Sequence, residues 1–219
     1  MQLTKSQRAR QQEFSAFARL EVAPLAADWD RDQRIPGSVI EKLAGAGYLG
    51  CSIPREFGGQ GWDLITFGLL NEALGRFCSA LTDVLTVQTM VSTALLKWGS
   101  AEQKQTWIRP LAEGRITACF ALTEPTAGSA VQAISSKLAP SDGGLVLTGT
   151  KKWISWAQHA DVILVFAKFG ERPTACVVPR DSAGLSIEPI RDLMGFRAAG
   201  LAADAGASSR GNRSAGRPA

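Results

Sequence analysis

Side chains able to do chemistry gather in two short stretches of this 219-residue chain. The first, residues 118–130, reads Ala-Cys-Phe-Ala-Leu-Thr-Glu-Pro-Thr-Ala-Gly-Ser-Ala. Ile116, Ala118, Phe120 and Leu122 recur at a period of two, which predicts a strand with those residues on one face. Pro125 has no amide proton and biases Glu124 away from helix, so the strand should end there. Thr126, Ala127, Gly128 and Ser129 then make a small-residue turn whose amides and hydroxyls suit a polyphosphate. The second stretch is Lys151-Lys152-Trp153-Ile154-Ser155. Its Trp153 and Ser155 are two apart, which in a strand sets an indole and a hydroxyl on one face. A stacking surface, hydroxyls and bare amides together suit a flat cofactor that hydrogen-bonds and carries a pyrophosphate. A flavin dinucleotide meets that description.

Other candidate sites have plainer readings. Gly45-Ala46-Gly47-Tyr48-Leu49-Gly50 matches G-x-G-x-x-G, but a helical stretch precedes it. That fingerprint needs a strand before it and a helix after it, so these glycines are expected to end a helix instead. His159 is the one histidine, with only Asp161 nearby as a further metal ligand and no G-x-S-x-G nucleophile motif in the chain. It reads as a surface or turn residue, and no metal site is assigned. Cys51, Cys78, Cys119 and Cys176 lie far apart in apolar surroundings without a Cys-x-x-Cys pair, as expected for reduced structural thiols in a cytoplasmic protein.

The two stretches also carry a resemblance. Phe120-Ala121-Leu122-Thr123-Glu124-Pro125-Thr126-Ala127-Gly128-Ser129 resembles the flavin signature of the acyl-CoA dehydrogenase family, and Lys151-Lys152-Trp153-Ile154-Ser155 resembles its second flavin segment at matching spacing. Ile53-Pro54-Arg55-Glu56-Phe57-Gly58-Gly59-Gln60-Gly61 is similar to a loop of the family's helical N-terminal domain. Ala130 stands where the family usually has aspartate, and the chain ends before the family's third domain.

The resemblance implies FAD as cofactor. Leu122 and Thr123 would meet the flavin pyrimidine edge through backbone and hydroxyl. Ser129 would lie by the pyrophosphate and the adjoining substrate channel. Trp153 would pack on the isoalloxazine ring, and Ser155 would offer its hydroxyl to N5, with Phe120, Gly128 and Ile154 completing the wall. The implied reaction is α,β-dehydrogenation of an acyl-CoA or acyl-carrier-protein thioester, with an electron-transfer flavoprotein as electron acceptor. The family's base is a glutamate in the third domain, so no catalytic residue is assigned here, and Glu124 belongs to the flavin loop rather than replacing it. The chain is expected to be truncated and to lack much of the family's homo-oligomeric interface. Alternative readings are an inactive flavin-binding remnant or partner subunit, and a flavin-dependent oxidase or monooxygenase on the same scaffold.

The elements that must position these residues fall into two compositions. Residues 1–113 read as helices. Phe14, Phe17, Ala18 and Leu25 give a first apolar stripe, and Pro36 opens a second helix through Val39, Ile40, Leu43 and Ala44. Asp63 caps a third, predicted to bury Ile65, Leu69, Ala73 and Phe77. Leu81, Val84, Gln88, Val91 and Leu95 mark a fourth, and Ser100 with Gln103 forms the capping box of a fifth that turns Trp107 and Ile108 inward and meets Pro110. Residues 114–200 change to a period of two, with short strands predicted over 116–122, 133–138, 145–150, 162–168, 174–178 and 185–190. The class is therefore α+β: a helical domain, then a small antiparallel barrel or sandwich that binds the flavin.

Residues 201–219 form a low-complexity tail without a large apolar side chain past Leu201. It is expected to be disordered, the product of a lost reading frame or a natural truncation. Three of its arginines against one aspartate hold half of the chain's net charge of +4, which leaves too little elsewhere for a nucleic-acid footprint. The apolar stretch 84–96 reads as too short and too polar to cross a membrane.

Overall fold

The computed structural model describes residues 2–141, 144–203 and 209–211. Helix α1 (Lys5–Phe17) starts at Thr4, whose hydroxyl accepts the Gln7 amide while the Gln7 side chain returns to the Thr4 amide. Ala18–Val22 continue it as a π-helical turn, and the short α2 (Ala26–Arg31) follows. The first stripe thus spans three elements. Phe14 and Ala18 are buried, while Leu25 sits in the turn and is 43% exposed. Helix α3 (Gly37–Gly45) begins after Pro36 and ends in the glycine run, with Gly47 at φ +75°, a left-handed conformation that glycine adopts without Cβ strain. No strand precedes it, so the apparent dinucleotide fingerprint is a helix terminator.

Asp63 caps α4 (Leu64–Gly75) by accepting the Ile65 and Thr66 amides. Of the predicted face Leu69 is buried, but Ile65 and Phe77 are each 37% exposed, and Thr66, Leu70 and Leu74 complete the buried face instead. Leucines at 69, 70 and 74 made two apolar stripes possible, and packing against α1 and α5 selected one. Helix α5 (Ser79–Trp98) buries Leu81, Val84, Gln88, Val91 and Leu95, as its spacing requires. It is longer than the apolar run alone suggested and, by length and composition, long enough to cross a membrane. It packs instead against α4, β1 and α6 (Ala101–Ala112). The latter has the Ser100–Gln103 capping box, buries Ile108 and carries Pro110 within it.

The strands are β1 (Ala118–Ala121), β2 (Lys137–Ser141), β3 (Gly144–Thr148), β4 (Val162–Phe169), β5 (Arg172–Pro179) and the short β6 (Glu188–Pro189), β7 (Ala202–Ala203) and β8 (Ser209–Gly211). The α+β class holds, with helices first and strands after. The main sheet, however, is mixed. β4 pairs with β1 in parallel (Ala118 with Val162) and with β2 in parallel (Lys137 with Lys168), while β5 runs antiparallel along its whole length. β2–β3 and β3–β8 are antiparallel, and β6–β7 form a separate pair. Strand periodicity carries no information about direction, so the antiparallel expectation could not be drawn from it. Residues 204–208 and 212–219, on which most of the tail expectation falls, lie outside the described residues; within that stretch Ser209–Gly211 adds a strand to β3.

Helices and sheet share one interior. A continuous apolar cluster runs from Phe14, Leu43, Leu70 and Leu81 to Cys119, Ile163 and Val165. Gln88, fully buried, stitches the halves: its Nε2 donates to the Leu111 and Ile116 carbonyls (3.0 and 3.4 Å), and its Oε1 accepts the Ala118 amide (2.8 Å). Its three polar contacts satisfy a side chain that would otherwise be costly inside. A second clasp joins distant sequence, where Arg197 reaches Asp30 at 2.6 Å and Gln33 pairs with Asp192.

Candidate functional site

The two chemistry-bearing stretches meet in space. After β1 the chain turns at Pro125 and Thr126, closed by Glu124 N–H to the Ala127 carbonyl (2.8 Å) and Ala127 N–H to the Glu124 carbonyl (3.2 Å). Proline at the first turn position loses nothing, because no ladder amide is needed there. The Lys152 amide then donates to the Thr123 carbonyl (2.9 Å), and Lys151 Nζ donates to the Leu122 carbonyl (3.0 Å). Because a trans peptide sets its C=O and N–H on opposite sides, holding the Leu122 carbonyl towards Lys151 points the Thr123 amide away from it.

A buried ion pair fixes this junction. Lys151 Nζ lies 2.8 Å from Glu124 Oε1. Glu124 Oε1 also accepts from the Ser136 amide and hydroxyl, and Oε2 from those of Ser135. Burial alone would raise the Glu124 carboxyl, but Lys151, Ser136 and Ser135 outweigh it and hold the group well below the usual carboxylate range. Burial draws the Lys151 ammonium down, with Glu124 opposing. With both oxygens engaged, Glu124 is a structural anion. Sequence reading placed Glu124 in the loop and gave Lys151 no role; the two are 27 residues apart, and no local pattern pairs them.

Residues 151–155 do not form the strand expected of them. Trp153 has φ +61° and Trp156 φ +63°, left-handed backbone that ends extended pairing. Only Ile154 makes a bridge, to Ala202, and it is buried. The alternation of an indole and a hydroxyl therefore arises from a turn. Trp153 is half exposed, with the Lys152 ammonium 5.0 Å from its ring centre. Gly128 and Ser129 are exposed; Leu122, Thr123 and Ser155 are half-buried. Phe120 packs its ring 4.9 Å from that of Phe166. Trp156 Nε1 donates to the Thr117 hydroxyl, and Asp161 accepts the Thr117 amide at 2.7 Å, which anchors the loop to the start of β1.

One partly buried acid near this loop was invisible in the sequence. Asp83 comes from α5, where it reads as an ordinary helix position, and the fold sets it beside Ser155. Burial pushes its carboxyl above the ordinary value, and a hydrogen bond with Ser155 offsets this only in part. Asp83 Oδ2 is enclosed and has no hydrogen-bond partner among the described residues. His159 lies in the turn expected for it, stacked on Trp156 at 4.7 Å, and burial, Arg34 and Arg180 keep it below its usual value. Among the described residues no cluster of metal-ligating side chains occurs. The four cysteines are buried and unpaired by disulfide, and burial pushes Cys119 and Cys176 up to about 12.

Comparison with known proteins follows the same two-part division. Residues 4–115 match the family described as acyl-CoA dehydrogenase, N-terminal domain, and residues 119–203 match acyl-CoA dehydrogenase, middle domain. The human mitochondrial short-chain specific acyl-CoA dehydrogenase is 33% identical over 192 residues, covering 85% of this chain and 47% of that protein. The probable acyl-CoA dehydrogenase YngJ of Bacillus subtilis (strain 168) is 33% identical over 208 residues, covering 92% and 55%. A glutaryl-CoA dehydrogenase from Mycobacterium smegmatis, solved in complex with FADH2, superposes with a TM-score of 0.93 at 26% identity, covering 98% of this chain and 55% of that one. The chain thus spans about half the length of the curated relatives it matches.

Proposed function

The chain belongs to the acyl-CoA dehydrogenase family, and on that premise we propose that it binds FAD against residues 122–129 and 153–155 and serves α,β-dehydrogenation of an acyl thioester. The observation that supports this reading is the junction of the two stretches, Lys152 amide to Thr123 carbonyl and Lys151 Nζ to Leu122 carbonyl. It sets the 151–155 segment, with its half-exposed indole, against the strand end that leads into residues 124–129, so that the hydroxyls of Thr123, Ser129 and Ser155 would serve one wall. This donor set suits the group. The ring needs a flat apolar contact and donors at its heteroatoms, and the exposed Gly128–Ser129 backbone leaves room for a phosphate to approach.

A bound flavin would supply the acceptor for the hydride that leaves the β-carbon of the thioester. The tasks of this chain are binding and alignment. Thr123 and the Leu122 backbone would orient the ring edge, Trp153 would cover a ring face with Phe120 and Ile154 behind it, and Ser155 would set a hydroxyl at the reacting side. Ser129 would bound the substrate channel. Glu124 holds the loop and cannot take the α-proton, since its lone pairs are spent on Lys151, Ser135 and Ser136. An acyl-CoA thioester as substrate and an electron-transfer flavoprotein as acceptor complete the proposal.

Purified protein incubated with FAD and desalted tests it. A yellow preparation that bleaches anaerobically with butyryl-CoA supports the proposal. Protein that retains no flavin refutes it. Retained flavin that oxidises a non-thioester with oxygen uptake would move the assignment to the oxidase reading.

A further inference from the structure

The first helix presents two neighbouring rows at i, i+4 and i+8. Gln11, Ser15 and Arg19 form one and Gln12, Ala16 and Leu20 the other, and an open hollow of about 540 Å³ lies along both. Ser15 and Ala16 keep its middle low, while Leu20 at its end is 74% exposed. Arg19 and Leu20 sit in the π-helical turn Ala18–Val22, a rare widening of the helix that recurs at functional positions. Across the Gln11–Ser15–Arg19 row a second hollow of about 430 Å³ opens against α4, whose Leu69–Ala73–Phe77 row walls it. Phe77, at the end of that row, is 37% exposed. A groove between i±4 rows is the shape that receives the i±4 row of another helix.

Charge narrows the occupant. Arg19 borders both hollows and Arg76 borders the second. Neither guanidinium enters an ion pair among the described residues. The acid on the α4 hollow is Glu72, so two cations there face one anion and a net +1 is left unmatched. A helix bearing carboxylates at those places gains charge-assisted hydrogen bonds, and one bearing lysines is repelled. This chain has no such helix to offer to a second copy. Helices α1, α3, α4, α5 and α6 carry one acid each. The pair in α2, Asp28 and Asp30, is already engaged by Arg31 and Arg197 of the same chain.

We propose that the outer face of α1 and the α1–α4 hollow form a docking surface for an acidic amphipathic helix of another protein. The helix lays a row of small apolar residues between the Gln11–Arg19 and Gln12–Leu20 rows, meets Leu20 and Phe77 with larger ones, and sets carboxylates against Arg19 and Arg76. Recognition of this kind reads an amphipathic helix by its apolar anchors and its flanking charge. It goes beyond the flavin reading and does not depend on it.

The test titrates the full chain into a fluorescein-labelled peptide of about 20 residues, long enough to hold a helix. The peptide carries Ala and Leu along one i±4 row, Glu on the flanking rows and Gln elsewhere; a twin replaces every Glu by Lys. Anisotropy should show the Glu peptide binding about tenfold or more tightly than the twin, with the gap narrowing as salt is raised. Arg19→Glu and Arg76→Glu should each weaken the Glu peptide about tenfold, and Arg19→Glu should turn the preference towards the Lys peptide. Ala16→Trp, which fills the groove at an exposed position, should abolish binding. Circular dichroism checks that each variant is folded. No binding of the Glu peptide, equal binding of the twins, or binding unchanged in Ala16→Trp overturns the inference. So does a dimer in light scattering that Ala16→Trp dissociates, which would give the groove to a second copy. FAD uptake, scored separately on the same wild-type protein, bears on the functional reading alone.

Discussion

Lys151 Nζ and Glu124 Oε1 stand 2.8 Å apart with both side chains only 1% exposed, and the pair joins two segments 27 residues apart in sequence. The ammonium also holds the Leu122 carbonyl. One cation therefore sets both the turn and the strand end from which the proposed cofactor wall is built.

Removing one partner leaves the other charged and buried. Lys151→Met should lower stability by about 3–5 kcal/mol, and Glu124→Gln by a similar amount. The double variant should lose clearly less than the two summed, because no lone charge remains. Urea unfolding followed by circular dichroism measures all three. Additive losses would show that the two groups do not act as a pair.

Acid should expose the same relationship. The folded Glu124 carboxyl is depressed, so its contribution is fully present above the unfolded value of about 4.3 and is lost as pH falls below that towards the folded value. The wild-type urea midpoint should therefore drop between about pH 4.3 and 3 more steeply than that of Glu124→Gln. Parallel curves would remove Glu124 as the source.

Trp153→Gly separates binding from folding. A left-handed tryptophan is strained by about 1–2 kcal/mol, and glycine would relieve this at the expense of greater freedom in the unfolded chain. The half-exposed indole buries little. Stability should stay within about 1 kcal/mol of wild type, while FAD affinity falls about tenfold or more through loss of the stacked face. Fluorescence quenching of FAD reads the affinity. Unchanged affinity would take Trp153 out of the wall.

Gln88→Leu tests the stitch between helices and sheet. It orphans the Ala118 amide and two carbonyls at a fully buried position, so a loss of roughly 3 kcal/mol is expected. Thermal unfolding checks it. Thr86→Ala, on the exposed face of the same helix, should stay within about 0.5 kcal/mol.

Much of this was legible in the residues because local chemistry wrote it. The Asp63 cap, the Ser100–Gln103 box and the 81–84–88–91–95 stripe are short-range patterns, and the structure has each of them. What escaped depends on distant partners. Strand direction in β4 is set by which neighbours arrive, not by its own alternation. The left-handed backbone at Trp153 is imposed by the Ile154–Ala202 bridge and by the Trp156 anchor on Thr117, over residues whose types suggest a strand. The α4 face was ambiguous because three leucines offered two stripes.

The interior that runs unbroken from Phe14 to Val165 also governs how the chain can be handled. Severing it near Gly114 would lay bare the greasy undersides of both pieces at once. Neither half should behave as a free-standing module in the test tube; each would clump with copies of itself unless the other were supplied to cover it.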